Sequence, residues 1–262
     1  MILVSDNLQV TNPVIANAMT ALDPQPVVTL VRGCLERGAN AIDINSGPLG
    51  KGSADKMAFL VKTVQEITDA PLLLDTANPM AMEAGLAVSR KPVIINGFSL
   101  EPVKMTSILP LARKYDADIV GYLLNADSSV PMNADERLVI ASRLLQAVED
   151  EGIAPEKLII DPVVVPLTWI HGPFQALEVL TTLKMLPDLF GFPVKSIVGL
   201  SNLTSGANSK KKRIVMERIY LPMLFSVNVT LVLMNMFHTE TVSIANACNM
   251  LKQNTIFSWE TV

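Results

Sequence analysis

Short apolar runs recur along the whole sequence, and each is followed by a longer amphipathic stretch. The runs stand at 1–4 (MILV), 41–44 (AIDI), 72–75 (LLLD), 93–96 (VIIN), 119–124 (IVGYLL), 158–161 (LIID), 196–200 (SIVGL) and 229–234 (VTLVLM). They are continuously apolar rather than alternating, as strands are when a parallel sheet is covered on both faces. Between them, apolar residues recur at helical spacing. At 25–37, Val27, Leu30, Val31 and Cys34 share one face; at 54–68, Met57, Leu60, Val61 and Val64 do so. Helical segments are also expected at 79–90, 101–114, 133–150, 173–186, 211–225 and 239–252. Eight strand–helix units without a linker in 262 residues give an α/β fold, a TIM (β/α)₈ barrel built as a single domain over 1–262. The competing architecture, an open doubly wound sheet, would more often carry G-x-G-x-x-G after an early strand, and the sequence has none.

The ends of these runs carry the chemistry. A barrel of this kind builds its active site at the C-terminal ends of its strands. Asp43 and Asn45 follow the second strand, and Asp75 and Asn78 the third. Asn96 ends the fourth, Asn125 follows the fifth, Asp161 ends the sixth, and Ser201 and Asn202 follow the seventh. These side chains are expected to converge on one mouth. A lone Asp or Asn after a strand commonly caps a helix or closes a turn, and Asp43 and Asn78 are open to that reading. Asp75, Asn96 and Asp161 end short apolar strands directly, which favours a role in the site.

The set lacks histidine, cysteine and a nucleophile–base pair. Zinc hydrolysis and triad chemistry are therefore disfavoured, and no metal site is expected in this chain. Carboxylates accept paired N–H groups, and carboxamides both donate and accept. Together they suit a flat heterocycle with alternating donors and acceptors, such as an aminopyrimidinone ring.

Composition narrows the partners. A formal net charge of −4 gives no electrostatic case for nucleic acid. The mean hydropathy is positive. Yet the longest apolar stretch, 220–237, is broken by Pro222, Asn228, Thr230 and Asn235, so it is expected to be a helix end, a turn and a buried strand rather than a membrane span. The N-terminus lacks the pattern of a signal peptide, and two cysteines do not make a disulfide framework. A cytoplasmic setting is expected.

The segments AIDINSGP, LLLDTANP, IINGFS, IIDPVVVP and GLSN, in that order and spacing, resemble the pterin-binding methyltransferase family. The likeness is closest to the methyltetrahydrofolate:corrinoid protein methyltransferases, and it covers about 1–255. It implies a homodimeric barrel with tetrahydrofolate or 5-methyltetrahydrofolate as substrate. It also implies a corrinoid carried by a transiently docked partner protein. By motif, Asp75, Asn96 and Asp161 would bind the pterin, with Asp161 taking its 2-amino and ring N–H edge. Asn202 would sit near N5, Gly199 and Ser201 would shape the wall, and Asp43, Asn45 and Asn125 would support the network. Catalysis would rest on Asn202, Asp75 and Asn96 as a hydrogen-bond network around N5.

Two departures from the family pattern stand out. Relatives end the first strand in GERIN, where this chain has SDNLQ at 5–9, so no role is carried over to Asp6, Asn7 or Gln9. The last strand enters LVLMNMFHTE, where Asn235 is open to a contact, packing or capping role. Neither His171 nor His238 stands in the D-x-H-x-x-G of corrinoid carriers, which fits a corrinoid on a separate protein. His171 is expected near the mouth, and the loop at 125–136 above it. The basic run SKKKR at 209–213 is either a solvated helix start or, through Lys210 or a neighbour, the contact for folate's glutamate tail. The expected activity is methyl transfer between the corrinoid protein and N5, in the direction of tetrahydrofolate within a demethylation (O-demethylase) system. The rival readings are a dihydropteroate synthase-like enzyme and a non-catalytic folate-binding protein.

Overall fold

The computed structural model describes residues 1–47 and 52–252. Residues 48–51 lie outside the described residues; they belong to NSGPLGKGSADK at 45–56, which the sequence reads as a loop and whose last residues, from Ser53, open a helix. Strands β1 (Ile2–Gln9), β2 (Ala41–Asn45), β3 (Leu72–Asp75), β4 (Val93–Phe98), β5 (Asp118–Tyr122), β6 (Leu158–Asp161), β7 (Lys195–Gly199) and β8 (Leu231–Met234) are all parallel. They close in sequence order, with β8 paired back onto β1. The chain is a (β/α)₈ barrel.

The outer helices are α1 (Pro13–Ala21), α2 (Pro24–Glu36), α3 (Ser53–Gln65), α4 (Pro79–Val88), α5 (Pro102–Lys114), α6 (Ala134–Asp150), α7 (Gly172–Phe190), α8 (Lys210–Ser226) and α9 (Thr239–Lys252). Three of them start the same way. Asn12, Asp23 and Asn78 each cap the helix from the side chain, and Pro13, Pro24 and Pro79 follow at the first helical position. The cap satisfies an orphan N–H, and proline loses none that the helix needs. Asn78 is thus a helix cap, accepting from the N–H groups of Met80 and Ala81 at 3.0 and 3.2 Å.

Several boundaries differ from the sequence reading. β1 is twice the expected length, and α1 occupies what was expected to be loop, since the Asn12–Pro13 cap starts a helix there. β4 runs two residues past Asn96, and β5 stops at Tyr122. The stretch 220–237 is the end of α8, a turn and β8, as expected, and no helix among the described residues is long and apolar enough to cross a membrane. Cys34 and Cys248 are free and buried, in α2 and α9.

Strand geometry decides what fills the barrel. Side chains alternate between the helix-facing side and the interior. Val4, Ala41, Leu73, Val120, Ile159, Ile197 and Leu231 form one interior cluster, with Ile94 packed against it. Their neighbours in sequence, such as Leu72, Leu74 and Ile160, belong to the larger core beneath the helices. Each strand therefore sends its next interior residue toward the C-terminal mouth two positions later.

Candidate active site

That two-residue step builds the site. Above Val4 comes Asp6, above Ala41 comes Asp43, above Leu73 comes Asp75, and above Ile94 comes Asn96. On the other half, Tyr122 lies above Val120, Asp161 above Ile159, Gly199 above Ile197, and Leu233 above Leu231. All eight of these upper residues line one cavity of about 160 Å³, joined by Asn45, Gln9, Ser201 and Asn202. An apolar floor and a rim of acids, amides and one phenol follow from one periodicity.

The groups are tied together across the strands. Asn45 donates from Nδ2 to Asp75 Oδ2 at 2.6 Å. Tyr122 donates from Oη to Asn96 Oδ1 at 2.8 Å, and Asn96 donates from Nδ2 to Asp43 Oδ1 at 3.3 Å. Asp161 Oδ1 accepts the Val163 N–H at 2.8 Å, and Asp6 Oδ2 accepts from Ser201 Oγ at 3.1 Å. A Cβ on Gly199 would lie 2.8 Å from Asn202 Nδ2, so the glycine lets the Asn202 amide fold back over the end of β7.

Burial dominates the electrostatics. It pushes Asp161 up to about 7 and Asp6 up to about 6, against hydrogen bonds from Val163 and Ser201 that favour the carboxylates. Asp75 is pushed up to about 6 by burial, with the Lys104 ammonium opposing the shift. Asp43 is raised well above the carboxylate range by burial and by its neighbour Asp75. The Tyr122 phenol is raised as well, first by burial and then by Asp75, Asp161 and Asp43. Carboxyls held this way gain from a ligand that brings N–H donors or positive charge.

Of the residues singled out in the sequence, Asp43, Asn45, Asp75, Asn96, Asp161, Gly199, Ser201 and Asn202 all line this cavity. Asn125 does not. It lies in an exposed turn after β5, donating from Nδ2 to Ser129 Oγ at 2.9 Å, because β5 ends three residues earlier. His171 is exposed at the start of α7 and also lies outside the cavity lining.

A second, wider cavity of about 500 Å³ opens beside the first, and Asp6, Gln9, Asn45, Ser201 and Asn202 line both. Its far side carries Arg213, Asn235 and His238. Within SKKKR it is thus Arg213, not Lys210, that faces a cavity. One helical turn separates them, and Lys210 is exposed at the first position of α8. Asn235 accepts from Asn7 Nδ2 at 2.9 Å and from the Phe237 N–H at 2.9 Å, which closes β1 against the turn after β8. A larger groove of about 700 Å³ between α5 and α6 is lined by Leu100, Met105 and Leu109 together with Arg143, Gln146, Asp150 and Glu151, and it shares no residue with the strand-end cavity.

Sequence reasoning assigned no role to Asp6, Gln9, Tyr122, Leu233 or His238, and in SKKKR it named Lys210 first, with Arg213 only among its neighbours. For Asp6, Tyr122 and Leu233 the signal was present, since each stands two residues beyond an interior apolar residue.

The chain matches the family of pterin binding enzymes over residues 8–237 and belongs to that family. A methylcorrinoid:tetrahydrofolate methyltransferase from Eubacterium limosum is 23% identical over 214 residues, covering 80% of this chain and 77% of that protein. Among solved structures, a dihydropteroate synthase from Xanthomonas albilineans in complex with 7,8-dihydropteroate superposes with a TM-score of 0.69 at 17% identity, covering 97% of this chain and 94% of that one. A Yersinia pestis dihydropteroate synthase superposes at 0.70 with 14% identity, covering 96% and 94%. At these identities the two synthases establish the shared barrel.

Proposed function

We propose that this member of the pterin-binding enzyme family transfers a methyl group from a corrinoid protein to N5 of tetrahydrofolate. The observation that carries the reading is the interior ring of Asp43, Asp75, Asn96 and Asp161 closed by Asn202. Carboxylates and carboxamides in one enclosed mouth match the donors and acceptors of a pterin edge. The methylcorrinoid:tetrahydrofolate methyltransferase among the relatives supports the chemistry and its direction.

In this reading Asp161 and Asp75 accept the pterin's N–H groups. Asn96, fixed by Tyr122 and Asp43, presents an oriented amide. Asn202 stands at the seam of the two cavities, where N5 lies, and Gly199 and Ser201 form the adjoining wall. The partner's corrinoid supplies the methyl group as an electrophile. The residues of this chain hold N5 in line with it and stabilise charge as it develops on the ring. The folate tail runs through the second cavity toward Arg213. Demethylation of a methylated substrate by an upstream enzyme supplies the methyl group, and the corrinoid protein docks transiently over the mouth.

A homodimer is supported by one outer face. Phe174, Leu177 and Leu189 on α7 and Val215 and Ile219 on α8 are exposed, while Tyr220 Oη donates to the Ala176 carbonyl at 2.7 Å and holds the two helices side by side. Large apolar side chains exposed on two helices that touch in this way support an association site there.

The reading is tested by incubating the protein with tetrahydrofolate and a methylated corrinoid protein and separating the folates by chromatography. Protein-dependent formation of 5-methyltetrahydrofolate supports it. Pterin binding without turnover makes the chain a binding protein. Formation of dihydropteroate from a pterin pyrophosphate and p-aminobenzoate makes it a synthase.

A further inference from the structure

Methyl transfer to tetrahydrofolate leaves one proton to remove. The bond from N5 to the methyl carbon forms, and the electron pair that held the methyl stays with the donor. N5 is left as a cationic ammonium that must give up its hydrogen. The first cavity is narrow and lined by enclosed acids, so this proton needs a path outward.

The second cavity holds such a path. Asp6, Ser201 and Asn202 line the seam, and His238 faces the same space from the turn between β8 and α9. His238 Nδ1 lies 3.3 Å from Glu217 Oε2. Glu217 is only 3% exposed, and its Oε1 accepts from Thr204 Oγ1 at 2.6 Å. A carboxylate fixed in this way holds the proton on Nδ1 and leaves Nε2 as the acceptor, the arrangement that makes an imidazole a proton carrier. The charged groups around it are Asp6 from β1 and Glu217 and Arg213 from α8, while Glu240 at the start of α9 is engaged by Arg218. Thr204 also accepts from Arg213 Nε at 3.4 Å, so the turn that carries Ser201 and Asn202 and the turn that carries His238 share one buried anchor.

We infer that His238, oriented by Glu217, relays the N5 proton from Asp6 at the seam to solvent. The inference rests on the methyl-transfer reading and adds a proton route to it. In balance, N5 loses H⁺ to the Asp6 carboxylate, Asp6 passes it to His238 Nε2, and the imidazolium releases it to water. No oxidant or reductant is needed.

The test compares wild type with His238→Gln, His238→Ala and Glu217→Gln. Tetrahydrofolate affinity is measured by calorimetry, and single-turnover methyl transfer from a methylated corrinoid protein is followed across neutral pH. The relay predicts affinities within about twofold of wild type and a rate lowered roughly 10²-fold in both His238 variants. Added imidazole restores part of the His238→Ala rate. In Glu217→Gln the imidazole loses the carboxylate that orients it, and the rate falls while tetrahydrofolate affinity is kept. A His238→Gln variant with the wild-type rate and profile overturns the relay, as does loss of binding in step with rate. If wild type neither binds tetrahydrofolate nor transfers methyl, the methyl-transfer reading falls and the relay falls with it.

Discussion

Asn45 and Asp75 stand opposite each other in the β2–β3 ladder, and the Asn45 amide donates to Asp75 Oδ2 at 2.6 Å. The adjoining β3–β4 ladder repeats the pairing of amide and acid, with Asp75 opposite Asn96. Ladder register, rather than loop conformation, thus sets the spacing of the acids and amides. Asn45→Ala removes the donor that aims Asp75. Tetrahydrofolate affinity is expected to fall roughly 5- to 10-fold, the net worth of about 1 kcal/mol for one typical hydrogen bond. Calorimetric titration of the variant against wild type measures it, and unchanged affinity removes Asp75 from the ligand's partners.

Binding should depend on pH in one direction. Burial holds Asp161 at about 7 and Asp75 at about 6 in the free protein. A ligand whose N–H groups are taken by carboxylates selects the ionised forms and lowers both values. Protons are therefore released on binding, and affinity weakens as pH falls through about 7 and then about 6. Titrations in buffers of different ionisation enthalpy give the proton count directly. Proton uptake, or a flat profile between pH 5.5 and 8, contradicts this account of the site.

The same burial predicts a stability effect of opposite sense. The Asp161 carboxyl is raised above its unfolded value near 3.8, so the folded state holds the proton longer. Stability from this group is full below pH 3.8 and declines as pH rises toward 7. Asp161→Asn keeps an acceptor for the Val163 N–H and removes the buried charge. Its Tm should exceed that of wild type at pH 8, by roughly 2–8 °C, and match it near pH 3.5. Thermal unfolding at the two pH values decides the matter.

Arg213 and Lys210 separate the two readings of the basic run. Arg213→Gln should weaken tetrahydrofolate several-fold and leave a tail-free reduced pterin unaffected, whereas Lys210→Ala should change neither, since Arg213 and not Lys210 lines the second cavity. Equal losses for both ligands would place Arg213 outside the tail's path.

Leu177→Glu puts a charge in the exposed apolar face of α7. Sedimentation should show a dimer for wild type and a monomer for the variant. A monomeric wild type contradicts the assignment of that face.

Much of this was legible in the sequence, and the reason is periodicity. Leu72–Asp75 and Leu158–Asp161 are short runs that switch from apolar to acid at the mouth, so the strand, its direction and its reacting end are written in four residues each. Asp6 was harder to see because the first strand runs on to Gln9, past the apolar residues that marked it. Tyr122 sat inside a run that reads as uniformly apolar, although two residues above Val120 it must face the interior. The basic run 209–213 marked Arg213's neighbourhood but not which of its cations faces inward, and His238 had no local signal. Both residues come to the second cavity through the packing of α8 against the turn after β8, which no short stretch of sequence encodes.

The most direct test of the central claim is a calorimetric titration of wild type and Asp161→Asn with tetrahydrofolate at pH 8, without a corrinoid protein. Wild type is expected to bind, and the variant, folded and no less stable, to lose at least about 30-fold in affinity, as when a charged acceptor is removed from a paired N–H edge. Failure of wild type to bind tetrahydrofolate or its 5-methyl form would contradict the assignment of the strand-end acids and amides to a pterin.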